Sequence, residues 1–287
     1  MSVIRPTTVT EFLHPISSHV APLCGILGER AYVGGTAVII APGLAITALH
    51  VLDEICAQFG HDRLTRNIEL DLYVNQLNTG ACWYVCHASS WVGTDIAVLS
   101  LKARNEIAQS AVIDRLPIAV DPPISGAKVT ALGYPGTLLT ISRNDQEVTE
   151  MNFSITPTVS EGEVTEIHQS RRDSVILRFP CFSVNAEFSA GMSGGAVFNQ
   201  NRQLCGLVCA GGEGELRDYS HAVSAWPMAI IPVTIPDSIP PFVGVIPGET
   251  YKLLELAQLG YVEFHGHERI EFFVHDNGSD GVRRHHP

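Results

Sequence analysis

Gly191-Met192-Ser193-Gly194-Gly195-Ala196-Val197-Phe198 is the stretch on which the fold turns. It has the form Gly-x-Ser-x-Gly, a single hydroxyl held between glycines. A serine on such a sharp turn is a candidate nucleophile, because glycine adopts dihedrals that other residues resist. One architecture with this pattern is the α/β-hydrolase. It wants a helix directly after the serine, the chain order Ser, Asp, His and a repeated β-α-β alternation. Here Gly194 and Gly195 lead into the β-like Ala196-Val197-Phe198, and that alternation is absent. A lipase or esterase is disfavoured, and the stretch reads as a loop entering a strand of an all-β protein.

Reading outward, short strands dominate. Ala196–Phe198 and Leu204–Cys209 form a hairpin pattern across the polar Asn199-Gln200-Asn201-Arg202. Thr36–Ala41 and Leu44–Thr47 are apolar runs separated by the turn Pro42-Gly43. Ile68, Leu70, Leu72 and Val74 alternate with polar or aromatic neighbours, and Val175, Leu177 and Phe179 alternate again, which is the strand period. Ile96–Leu99 and Val129–Leu132 are further strand candidates, the second ending at the turn cluster Gly133-Tyr134-Pro135-Gly136. Helical patterns are few: a short one over Val51–Phe59 and a clearer one over Glu249–Leu259, with Gly260 placed as its C-cap. Five prolines within 227–241 predict a linker or strap.

Composition narrows the function. The 287 residues carry a net charge of −12, which disfavours nucleic acid as a partner, because phosphate binding needs a basic surface. Apolar residues make up 45%, enough for a sizeable core, yet no run approaches the roughly 20 residues of a membrane span. Residues 1–20 lack a basic segment followed by an apolar one, so the expected location is cytoplasmic. The seven cysteines fit this as reduced core residues. Cys82 and Cys86 on one strand would sit about 13 Å apart, too far to bridge. His265-Gly266-His267 has no companion ligands at zinc spacing, so neither a metal nor another cofactor is expected.

Two further motifs precede Ser193. Thr47-Ala48-Leu49-His50 follows an apolar run, and Thr94-Asp95 opens the run Ile96-Ala97-Val98-Leu99. His50 and Asp95 lie 45 residues apart, and Asp95 and Ser193 lie 98 apart. Together with Gly191–Gly195 these motifs resemble the trypsin/chymotrypsin family, particularly its bacterial and HtrA-like members, over roughly residues 30–226. Chain order His, Asp, Ser is that family's order.

The resemblance implies two six-stranded antiparallel β-barrels, one near residues 30–115 and one near 126–226. An N-terminal segment, 1–29, and a C-terminal α/β extension, 227–287, lie outside them. It implies a serine endopeptidase in which His50 is the general base, Asp95 fixes its tautomer and Ser193 attacks the peptide carbonyl. The backbone N–H groups of Gly191 and Ser193 would hold the oxyanion. By the same resemblance Glu187, six residues before Ser193, would select a basic P1 side chain. Cys209, Ala210 and Gly211 would line the pocket and pair with substrate, and His221 would stand on its far wall.

Two positions depart from the family. Met192 stands where secreted members carry an aspartate that pairs with a newly cut N-terminus. The oxyanion loop must then be ordered by packing, by substrate or by an activating protein partner. Cys209 aligns with a serine that supports the triad aspartate, and a thiol is a weaker donor. The alternative reading is a protease fold retained as a catalytically silent peptide-binding scaffold.

Overall fold

Antiparallel pairing closes six strands into a barrel in the N-terminal half of the chain. In spatial order they are Val20–Leu27, Arg30–Ala41, Leu44–Ala48, Ile96–Ala103, Ala81–Ser90 and Glu69–Val74, the last pairing back to the first. The structure is a computed structural model that describes residues 3–9, 17–74, 80–144, 147–210, 220–239, 242–274 and 280–285. Successive side chains of a strand face opposite ways. Ala37 and Ile39 accordingly join one buried cluster with Leu23, Leu72 and Leu99, while Val38 and Ile40 join another with Ile46 and Leu207. Both faces are covered, which is why Thr36–Ala41 reads as an unbroken apolar run.

The helix Leu49–Gln58 buries Val51, Leu52, Ile55 and Cys56. It comes close because Gly25 and Gly34 leave room for Ile55: a Cβ on either would lie 2.3 or 2.4 Å from that side chain.

Ala196–Phe198, Lys128–Gly133, Thr158–His168, Cys181–Val184, Ser220–Ser224 and Leu204–Ala210 form the second barrel. It closes through the predicted hairpin, in which Ala196 pairs with Leu207 and Val197 with Gly206. The fold is all-β and chymotrypsin-like, with two six-stranded antiparallel barrels.

Several boundaries differ from expectation. The first barrel starts inside the expected N-terminal segment, because Val20–Leu27 is its first strand. Val175, Leu177 and Phe179 alternate but form no strand. Asp173 Oδ1 accepts from the amides of Val175, Ile176 and Leu177 at 2.8, 2.7 and 3.1 Å, and that turn takes the donors a ladder would need. The C-terminal helix spans only Leu253–Gln258. The residues before it, Thr250–Lys252, pair instead with Pro232–Thr234. Gly260 does follow the helix at φ +75.

The extension is not a separate body. Phe264–His265 pairs in parallel with Ile118–Ala119, which pairs in turn with the second barrel at Leu204. The proline-rich strap buries Met228, Ala229, Ile231 and Val233. Ser100 Oγ donates to Thr234 O at 2.6 Å, and Tyr261 Oη to Pro42 O at 2.6 Å, tying the extension to the first barrel. None of the seven cysteines is in a disulfide; six are buried and Cys86 is exposed. Among the described residues no helix is long and apolar enough to cross a membrane.

Candidate active site

The strand Leu44–Ala48 runs directly into the helix Leu49–Gln58, so His50 falls in that helix's first turn. Amides there have no partner within the helix. Asp95, from the loop before Ile96–Ala103, supplies one. The His50 amide donates to Asp95 Oδ1 at 3.0 Å, and the Leu49 amide donates to the Asp95 carbonyl at 3.1 Å. The other carboxylate oxygen, Oδ2, lies 2.7 Å from His50 Nδ1. One carboxylate thus caps a helix and fixes a ring. With Nδ1–H donating to Asp95, Nε2 is the acceptor.

The Asp95 side chain is 11% exposed and the His50 side chain 38%. Burial lowers the imidazole pKa. The Asp95 hydrogen bond and charge oppose it, with the charges of Glu54 and Asp53 adding, and the net shift is upward.

Ser193 comes from the second barrel. Its neighbours explain why the motif is built of glycine. Gly191 and Gly194 have φ of +91 and +78. A Cβ on Gly194 would lie 2.1 Å from the Thr36 carbonyl oxygen, 2.3 Å from Thr47 Oγ1 and 3.0 Å from the Ala48 amide. Only a bare backbone fits there, and the fit sets the nucleophile loop against the strand end that carries His50. Behind Ser193, the Gly194 amide donates to Val208 O and the Gly195 amide to Met192 O, both at 2.8 Å. Among the described residues no other protein group engages the amides of Gly191 and Ser193. Two unengaged neighbouring N–H groups suit a developing oxyanion.

Met192 is fully buried, in one cluster with Ala131, Phe182 and Val208. Gly133 makes the room: a Cβ there would lie 2.9 Å from Met192 Cα. This chain thus seats an apolar side chain in the second barrel at that position. Such burial contributes about 1.5–3 kcal/mol.

Of the residues expected to bind substrate, Cys209, Ala210 and His221 are neighbours in the second barrel, and Glu187 adjoins Phe188, which contacts Ser220 beside them. Glu187 is exposed, and its carbonyl accepts from Ser160 Oγ at 2.7 Å. The buried neighbour is Phe188, whose amide donates to Ser220 Oγ at 2.9 Å. Glu187 is therefore open to solvent. Cys209 is buried and its thiol donates to His221 O at 3.3 Å. Ala210 pairs with His221 across the sheet. Gly211 lies outside the described residues. The His221 ring lies 3.1 Å from Ser183 Oγ. Burial first, then the nearby charges of Arg172 and His168, lower its pKa to about 4. The ring is neutral at pH 7 and offers no charge to an acidic side chain.

No group of three or more metal-ligating side chains occurs among the described residues. His265 Nε2 lies 2.7 Å from Glu263 and His267 Nδ1 lies 3.0 Å from Phe264 O, so the two rings are engaged separately.

Sequence reading missed one residue of the site. The sequence marks Thr36 only as the start of a strand, yet the residue holds the nucleophile loop from the opposite barrel. The available signal was a hydroxyl placed between Gly34-Gly35 and an apolar run.

Two barrels with a paired His and Asp on one and a Gly-x-Ser-x-Gly loop on the other define a serine protease of the chymotrypsin type. Residues 35–207, more than half of the chain, match the trypsin-like peptidase domain, and the chain belongs to that family. No curated protein matches it. Among solved structures, the active form of the M. tuberculosis protease Rv3671c is 17% identical with a TM-score of 0.50, over 73% of this chain and 77% of that one. The HtrA-type protease AlgW, solved with a tripeptide, is 18% identical with a TM-score of 0.50, over 73% of this chain and 57% of that one. At these identities the likeness is one of fold. The chain spans little more than half the length of AlgW.

Proposed function

We propose that the chain is an endopeptidase that cleaves through an acyl-enzyme, with His50, Asp95 and Ser193 as its triad. The observation that carries this reading is the double engagement of Asp95 by His50, facing a glycine-built serine loop packed against the same strand end. Ser193 Oγ attacks the peptide carbonyl carbon while its proton passes to His50 Nε2. Charge collects on the carbonyl oxygen, stabilised by the amides of Gly191 and Ser193. The C–N bond then breaks, and His50 returns the proton to the leaving amine. Water, deprotonated by the same ring, hydrolyses the ester.

The substrate is a protein or peptide. AlgW is known with a tripeptide and a decapeptide bound, which supports a peptide ligand for this fold. Support for a basic P1 preference is confined to the position of Glu187 before Ser193, and its exposure counts against it. Met192 burial favours a loop ordered by packing rather than by an activating protein partner.

The test is labelling with a fluorophosphonate probe, followed by cleavage of a peptide library, for the wild type and for Ser193→Ala. Labelling and cleavage that both vanish in Ser193→Ala are expected. A wild type inert to the probe would overturn the enzyme and leave the silent scaffold. Cleavage after Arg or Lys that is lost in Glu187→Ala would restore the acidic pocket.

A further inference from the structure

Thr36 lies on the first barrel, wholly buried, and reaches the second by three hydrogen bonds, two of them to the nucleophile loop. Its amide donates to Ser193 O at 2.8 Å. Its hydroxyl donates to Gly191 O at 3.1 Å and accepts from the Tyr134 amide at 3.0 Å. The hydroxyl has one proton to give, and the Tyr134 amide can only donate. The proton is therefore committed to Gly191 O, and the direction of each bond is fixed. A fourth bond, Thr47 Oγ1 to Thr36 O at 2.7 Å, anchors Thr36 to the strand that leads into His50.

The alternation along the loop gives these bonds their meaning. In the proposed reading the oxyanion donors are the N–H groups of Gly191 and Ser193. Thr36 holds the carbonyls of those same two residues. Fixing a residue's carbonyl fixes its ψ, and the plane of the next peptide with it. With both carbonyls drawn toward the first barrel, Gly191 and Ser193 are each anchored on their C-terminal side, which limits how their own unengaged amides can turn. Gly191 at φ +91 has no Cβ to hold its backbone in place, so this residue depends most on an external clamp. The approach is also specifically accommodated, because a Cβ on Gly35 would lie 2.7 Å from Ser193 O.

We infer that the Thr36 side chain is a positioning residue for the oxyanion loop, coupling the barrel of the general base to the donors on the barrel of the nucleophile. This rests on the proposed protease reading. Thr36→Val is nearly isosteric, keeps the backbone amide and removes the hydroxyl, taking from Gly191 O its donor and leaving the buried Tyr134 amide without a partner. Thr36→Ser keeps the hydroxyl.

The experiment measures kcat and KM on a cleaved peptide, thermal stability, and amide hydrogen exchange at Tyr134 and over residues 191–195. A loop donor displaced by a fraction of an ångström costs rate rather than binding. Thr36→Val is expected to lower kcat about 10–100-fold with KM within about twofold. Thr36→Ser should recover most of the rate, and exchange should accelerate at Tyr134 and the loop in the valine variant alone. Unchanged kcat in a folded Thr36→Val would overturn the inference. So would an equal loss in Thr36→Ser, or a fall in stability with the rate per titrated active site preserved. Exchange needs no turnover. If the wild type proved inert to the fluorophosphonate, faster loop exchange in Thr36→Val would keep the clamp while the protease reading fell, and unchanged exchange would end both.

Discussion

The backbone amide of His50 and its ring Nδ1 bind the two oxygens of one carboxylate, Asp95 Oδ1 at 3.0 Å and Oδ2 at 2.7 Å. Ring orientation and helix start are therefore set by a single group. Asp95→Asn would place an amide against this pair. If its NH2 faces the ring, Nδ1 must become the acceptor and Nε2 carries the proton, the wrong tautomer for a base. The expected loss in kcat is on the order of 10⁴, as for the equivalent change in a known protease. The fold should persist, because an amide oxygen can still cap the His50 amide. Steady-state kinetics beside a far-UV spectrum would check it. A loss under tenfold would mean that Asp95 does not set the tautomer.

The pH profile follows from the environment of His50. Burial lowers its pKa, but the hydrogen bond and charge of Asp95, with Glu54 and Asp53, raise it above the ordinary 6.5. A general base works only when neutral. Activity should therefore rise with pH, with its midpoint above 6.5. Glu54→Gln removes one of the raising charges and should move the midpoint of kcat/KM downward. Glu54 also accepts from the Tyr32 hydroxyl, which a glutamine oxygen can still do. An upward or absent shift would show that the charge of Glu54 does not reach the ring.

Much of this site was legible in the sequence because the chemistry is concentrated in contiguous motifs. Gly191–Gly195 must be glycine-rich wherever the loop packs this closely, and Asp95 must precede a strand to be held rigidly. Thr36 escaped because its role depends on a hydrogen bond across 155 residues of separation, and a lone threonine at a strand start carries no mark of that. Glu187 has the opposite difficulty. Its offset from Ser193 was informative, but offset does not say which way a side chain points, and here Phe188 takes the buried position. The alternation at 175–179 was overridden locally by the side chain of Asp173.

Met192 tests how the oxyanion loop is ordered. Its side chain is fully buried beside Gly133, one residue from the nucleophile. Met192→Ala would leave a cavity and cost about 2–5 kcal/mol of stability. If packing orders the loop, activity should fall as well. Met192→Leu, close in volume, should cost under about 1.5 kcal/mol and keep activity. Urea unfolding and kinetics on both variants would decide. An alanine variant that is destabilised but fully active would show that the loop is ordered by something else.

The extension offers a test at the level of the whole chain. Leu253, Leu256 and Tyr261 belong to the same buried cluster as Val38 and Ile46 of the first barrel and Leu207 of the second. A core shared in this way should unfold together, so urea denaturation followed by two probes should give one coincident transition. Leu256→Ala, at a position with no exposure, should lower its free energy by about 2–5 kcal/mol. The barrels should lose stability with the extension, because the strap 227–239 and Phe264–His265 cover their surface and not solely each other's. Two separated transitions, with Leu256→Ala shifting only one, would instead make residues 227–287 an independent unit. The catalytic barrels would then stand without it.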